Sequence, residues 1–188
     1  MRLLLSLDAK NYTDDMPVFE KYAVRGVIIH DGKIAMQKSA SGYYKILGGG
    51  IDEGESYADA LSRELMEESG LIVVRDSIRE IGEIYEARQD LYEKNKVFVC
   101  HTCFFFCDVL DKRTATSLTA SEIREGFELT WVSPEEIIKA NDKVTDMPWV
   151  MRDTAFIKML SMAQLRNRKG MRKWKKKRWM DKNQLILI

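Results

Sequence analysis

The chain has 188 residues, of which 45% are apolar and 31% charged, with a formal net charge of +1. That is enough apolar residue for one packed domain, which excludes a disordered chain, and no stretch approaches the ~18 apolar residues needed to cross a bilayer. The near-neutral total hides an asymmetry: from Arg166 to Lys182 ten Lys/Arg face one Asp, a local +9 that leaves −8 on residues 1–165. The domain organisation read from this is an N-terminal extension (1–16), a folded domain (17–165) and a basic C-terminal tail (166–188).

The opening MRLLLSLDAKNY has too short an apolar run for a signal peptide and no small-residue cleavage site, so a cytoplasmic setting is expected. KYAVRGVIIH and KIAMQKS read as strands joined by a tight turn at Asp31-Gly32. Arg25 interrupts the first apolar run, either facing a cleft and a phosphate or lying on a polar sheet face. YYKIL is a further short strand, closed by Gly48-Gly49-Gly50, which implies unusual backbone conformations or close approach to the backbone.

A helix is predicted from about Ser56 to Ser69, with Ser56 as cap and Gly70 as its stop. At about 100° per residue, Ala58, Leu61 and Leu65 form a core stripe and Glu64, Glu67 and Glu68 lie at its rim. Like charges three and four residues apart cost a helix roughly 0.2–0.5 kcal/mol per pair. Massed carboxylates beside a cleft can share protons or hold hard cations, and oxygen-only ligands favour Mg²⁺ or Mn²⁺ over zinc. A merely charged, solvated face is the plain alternative.

LIVV, REIGEIYEARQD, the run around Cys100 and FELTWVS read as strands of a mixed sheet. Cys100 and Cys103 alternate across a strand and lack a second ligand pair, so Cys100, Cys103 and Cys107 read as buried thiols and not as a zinc site. Glu122 and Glu125 fall in a loop before FELTWVS, and Ser133-Pro134 opens a short helix. A longer helix is expected from Pro148 to Leu165. The tail interleaves Trp174 and Trp179 with basic residues, which suits RNA, an anionic membrane surface or the acidic body of the chain itself. The apolar end QLILI is suited to dock as a strand or to meet a second subunit in a homodimer.

From Gly49 to Leu71 the chain reads GGIDEGESYADALSRELMEESGL. This resembles the Nudix hydrolase signature, G-x5-E-x7-R-E-U-x-E-E-x-G-U with U aliphatic, at Gly49, Glu55, Arg63, Glu64, Leu65, Glu67, Glu68, Gly70 and Leu71. A chance match in this length is on the order of 10⁻⁸. The resemblance implies an α/β fold, the Nudix-type α/β/α sandwich with a mixed β-sheet, over roughly residues 21–141. It implies that Glu64, Glu67, Glu68 and the Gly48 carbonyl hold Mg²⁺ or Mn²⁺, with Arg63 and Glu55 shaping the loop–helix–loop. Leu47 stands where the family commonly has proline, which removes a fixed φ but no ligand.

By the same resemblance the substrate is a nucleoside diphosphate linked to another group, and a glutamate outside the box assists, Glu122 or Glu125, with Glu128 ranked behind them. Proline between Pro17 and Pro134, which ADP-ribose-cleaving relatives tend to carry, is absent here. Tyr85 and Tyr92 do not match the tyrosine spacing of dinucleoside-polyphosphate relatives. Elimination leaves a MutT-like activity on nucleoside triphosphates, oxidised ones included, with Arg25 as a substrate-contact candidate and the aromatics Tyr43, Tyr44, Phe127 and Trp131 either stacking a base or, as is commoner, filling the core. The alternative is a Nudix-fold RNA-binding or regulatory module acting through the tail.

Overall fold

The computed structural model describes residues 1–163. Its strands are β1 (Leu3–Asp8), β2 (Val18–Val27), β3 (Ile29–His30), β4 (Lys33–Lys38), β5 (Tyr44–Ile46), β6 (Leu71–Val73), β7 (Arg79–Gln89), β8 (Val97–Phe106), β9 (Val109–Arg113) and β10 (Glu128–Val132). Its helices are α1 (Tyr57–Ser69), α2 (Ala120–Glu125), α3 (Pro134–Asn141) and α4, which begins at 148 and is described to 163. Leu165, the expected end of α4, and the whole basic tail lie outside the described residues.

The main sheet runs β1-β7-β8-β2, with antiparallel pairing only between β7 and β8. β8 alternates between two cores: Cys103 and Phe105 face α1, while Phe104 stacks on Phe156 of α4 at a ring separation of 3.9 Å. A strand buried on both faces needs a near-continuous apolar run, which VFVCHTCFFF supplies. Leu61 and Leu65 of α1 pack on one side with Val24 and Leu47, and Ile137 of α3 and Ile157 of α4 pack on the other with Met36 and Ile46. Each such side chain contributes roughly 1.5–3 kcal/mol on burial. The result is a helix–sheet–helix sandwich, as expected.

The Asp31-Gly32 turn forms, with φ of 48° and 76° at its two positions, and pairs His30 with Lys33. A second sheet runs β10-β4-β3 with β5 on β4, and among the described residues β6 pairs only β9 in a two-stranded sheet. LIVV and FELTWVS are therefore strands as expected, but each lies outside the main sheet. β5 is short and its backbone is completed by helices: Asp153 Oδ2 accepts from Ile46 N–H at 3.0 Å, and Asn141 brackets the backbone of Tyr44 with two bonds. Side chains of α3 and α4 thus do what a neighbouring strand would otherwise do.

Two elements differ from the sequence reading. Residues 1–16, read as an extension, supply β1, which runs parallel to β7 at the sheet edge. The segment around Glu122, read as a loop, is helix α2, closed at its start by a capping box between Thr119 and Glu122. Thr-Ala-Ser-Glu carries that signature, but six residues with no buried position leave no hydrophobic period to detect.

Candidate active site

The segment 47–51 lies against β2. Val24 N–H donates to Gly49 O and Gly26 N–H to Leu47 O, both at 2.9 Å, while Ile51 N–H reaches Tyr22 O at 3.1 Å. Gly48 sits between them at φ 127°, a conformation that L side chains rarely adopt, and a Cβ there would strike the Val24 carbonyl. A Cβ on Gly49 would strike the Glu64 carboxylate. The glycines let a backbone turn pass between β2 and the acidic face of α1.

Ser56 caps α1 by accepting from Asp59 N–H, and Gly70 ends it at φ 69°. Within it Arg63 acts as a brace. Its Nε and Nη2 donate to the two oxygens of Glu55 at 2.9 and 2.8 Å, and Nη2 also reaches Gly50 O at 2.9 Å. Its Nη1 donates to Glu64 at 2.8 Å and Glu67 at 3.3 Å. The hydrogen bonds to Arg63 hold the Glu55 carboxyl below its ordinary pKa. One planar guanidinium therefore joins the loop, the backbone turn and two box glutamates.

Glu64 and Glu67 lie at the rim of the buried stripe, as the wheel predicts. Glu68 does not. It is buried, with Oε2 accepting from Gly48 N–H at 2.6 Å and Oε1 from Lys45 Nζ at 2.5 Å. Burial pushes its pKa up to about 7, against the pull of Lys45 and Arg25. Lys45 Nζ also lies 3.6 Å from Glu122, whose other oxygen caps α2. Sequence reasoning missed Lys45; its signal was a lone charge between Tyr44 and Ile46 in an apolar strand.

The other expected residues divide. Glu125 accepts from the Tyr43 hydroxyl at 3.0 Å, an engagement separate from Lys45 and Glu68. Tyr44 packs against the α3–α4 core and is not brought to the box, because strand alternation points it away from Lys45. Trp131 packs on the α1 core and meets His30 edge-on, and Tyr43 meets Phe127 edge-on. Arg25 is buried on the face of β2 opposite α1, beside Arg152 of α4, another residue the sequence reading did not single out.

Among the described residues no three acidic, His or Cys groups converge as a preformed metal cluster, since Arg63 and Lys45 hold the carboxylates. The donor set nonetheless suits a hard divalent cation: Glu68 accepts from Gly48 N–H, Glu64 lies against Gly49, and Arg63 ties Glu67 to Glu64. The flanking carbonyls of Leu47 and Gly49 accept backbone bonds, whereas that of buried Gly48 receives none from a described residue. A buried carbonyl without a partner is costly unless something else meets it.

Fold and site together define a hydrolase of phosphoanhydride bonds. The chain belongs to the NUDIX family: the NUDIX domain model matches residues 21–154. No curated protein matches it. Among solved structures it is similar to a NUDIX hydrolase from Nitrosomonas europaea, with 19% identity, a TM-score of 0.54, and coverage of 76% of this chain and 90% of that one. Also similar are a MutT protein from Bacillus halodurans (17% identity, TM-score 0.48, 73% and 80% covered) and the ORF135 protein of E. coli (25%, 0.43, 68% and 82%). No helix among the described residues is long and apolar enough to cross a membrane.

Proposed function

We propose that the chain is a divalent-metal-dependent pyrophosphohydrolase acting on a nucleoside diphosphate linked to another group, with a nucleoside triphosphate, oxidised forms included, as substrate. The observation that carries the reading is the Arg63 brace, which binds Glu55, Gly50, Glu64 and Glu67 into one unit. Glu64, Glu67, Glu68 and the Gly48 carbonyl would hold Mg²⁺ or Mn²⁺. Bound there, the metal supplies charge neutralisation of the pyrophosphate and a lowered pKa for water.

The chain's own residues do the rest. Arg63 keeps two glutamates from splaying apart under their mutual repulsion, and Gly49 leaves room for Glu64. Lys45 offsets the charge of Glu68 from inside the fold. We assign the role of outside base to Glu122 ahead of Glu125. Glu122, with one oxygen on the α2 cap, turns its other oxygen to the Lys45 that also holds Glu68, whereas Glu125 meets Tyr43 instead. A positioned carboxylate of this kind contributes about 10²–10⁴-fold in rate.

The test is a nucleotide panel with Mg²⁺, comparing wild type with Glu67→Gln and Glu122→Gln. Wild type is expected to release a nucleoside monophosphate, and Glu67→Gln to lose about a hundredfold or more. Turnover unchanged in Glu67→Gln would remove the metal assignment. Absence of turnover on every nucleotide, with RNA retained by residues 166–182, would favour a binding module instead.

A further inference from the structure

On the α4 face of β2, a cavity of about 150 Å³ shares the wall formed by Gly49 and Gly50 with the acidic box. Among the described residues four cationic side chains line it: Lys21, Arg25, Arg88 and Arg152. Two are answered within the protein. Arg88 Nε donates to Glu86 at 2.7 Å, and Arg152 donates twice to Asp153, at 3.1 and 2.8 Å. Arg25 is not answered. It is only 7% exposed, and among the described residues its Nε is buried without a partner and its one protein bond is a 3.3 Å contact from Nη1 to the carbonyl of the preceding residue.

An arginine cannot shed its charge by deprotonation, so an isolated one inside a protein is strongly destabilising unless an anion meets it. Burial and then the neighbouring Arg152 press on the charge of Arg25, while Asp153 and Glu68 help only at longer range. If Glu68 turns to a cation in the working enzyme, even that help weakens. The cavity also opens at the first turns of α4, where Trp149 and Arg152 lie and the helix dipole favours negative charge. An unpaired buried guanidinium, a surplus of positive charge and a helix start thus converge beside the box.

We propose that this cavity is an anion subsite, gripped by Arg25, that receives a phosphate of the substrate lying beyond the bond to be cleaved. It rests on the hydrolase reading of the box and sharpens it. Substrates whose far end is phosphorylated are selected over those whose far end is a neutral sugar or base, because a neutral group would leave Arg25 buried and uncompensated. The nucleoside then lies towards solvent, and the phosphate chain runs from the box past Gly49 into the cavity.

The direct probe is inorganic pyrophosphate, titrated into the full chain with EDTA present and followed by tryptophan fluorescence. Saturable binding is expected, with the signal lost in Trp149→Phe and the affinity lowered about tenfold or more in Arg25→Gln. Both proteins keep the same basic tail, so binding unaltered by Arg25→Gln is binding elsewhere and overturns the proposal. So does guanosine or adenosine binding that quenches Trp149 and survives Arg25→Gln, which would make the cavity a base pocket.

A second variant separates recognition from architecture. Arg25→Met removes an uncompensated charge, so the ligand-free protein should melt at the same or a higher temperature; a lower Tm means that the arginine is structural and overturns the proposal. With Mg²⁺ and a nucleoside triphosphate, KM should rise about tenfold in Arg25→Gln. Absence of turnover in wild type together with Arg25-dependent pyrophosphate binding would sink the hydrolase reading and uphold the anion subsite. Intact turnover with an unmoved KM would sink the subsite alone.

Discussion

At the scale of single residues, the chemistry turns on how charge is paired. Arg63 is the clearest case, because its five donors reach four groups that a lysine ammonium cannot span in one plane. Arg63→Lys keeps the charge and loses the geometry. Box glutamates displaced by about 1 Å cost on the order of a hundredfold in rate, so kcat/KM should fall by about that much while far-UV circular dichroism is retained. Glu68 supplies the pH-sensitive element of the metal-free protein. Its folded pKa of about 7 lies above the ordinary 4.5, so folding favours the protonated form. That contribution is fully present below pH 4.5 and is lost as pH rises through 7. Urea midpoints measured with EDTA across this window should decline, and Glu68→Gln should flatten the decline.

At the scale of elements, the joint between β5 and α4 decides whether the site has a floor. Asp153 has no exposed surface and serves two partners at once, the Ile46 N–H and the Arg152 guanidinium. Removing it leaves a buried amide without its acceptor and buried Arg152 with only Glu86, 4.0 Å away. Asp153→Ala should therefore destabilise by about 3–5 kcal/mol, measured by denaturant unfolding. Asp153→Asn keeps one acceptor and should lose less. The same comparison shows why this joint escaped the sequence reading: Arg152-Asp153 looks like ordinary surface charge on a helix, and nothing local reveals that α4 docks charge-side down.

At the scale of the whole molecule, β1 closes an edge. Leu5 and Leu7 pack against the core shared with α4, and Ala9 continues the pairing to Ala87. A chain lacking residues 1–10 would present β7 as a long unpaired edge with part of its apolar cover gone, which is a template for association. Light scattering of that truncation should show concentration-dependent oligomers or aggregates where the full chain shows none of that origin. An unchanged mass would mean that β1 is dispensable to the sheet.

Local chemistry accounts for what was legible in the sequence. Asp31-Gly32 demands its turn, Ser56 and Gly70 bound a helix whose period is 3.6, and the Gly49–Leu71 pattern places its charged residues on the one helix and the loop before it. These are short-range constraints, and they hold whatever the rest of the chain does. Tertiary structure alone decided which partner each charge meets. Glu68 turned inward because Gly48 and Lys45, some twenty residues away, were waiting. Arg25 was left without an ionic partner among the described residues because Arg152 and Asp153, distant in sequence, satisfied each other. Pairing depends on distance in space and on burial, and neither is written in residue order.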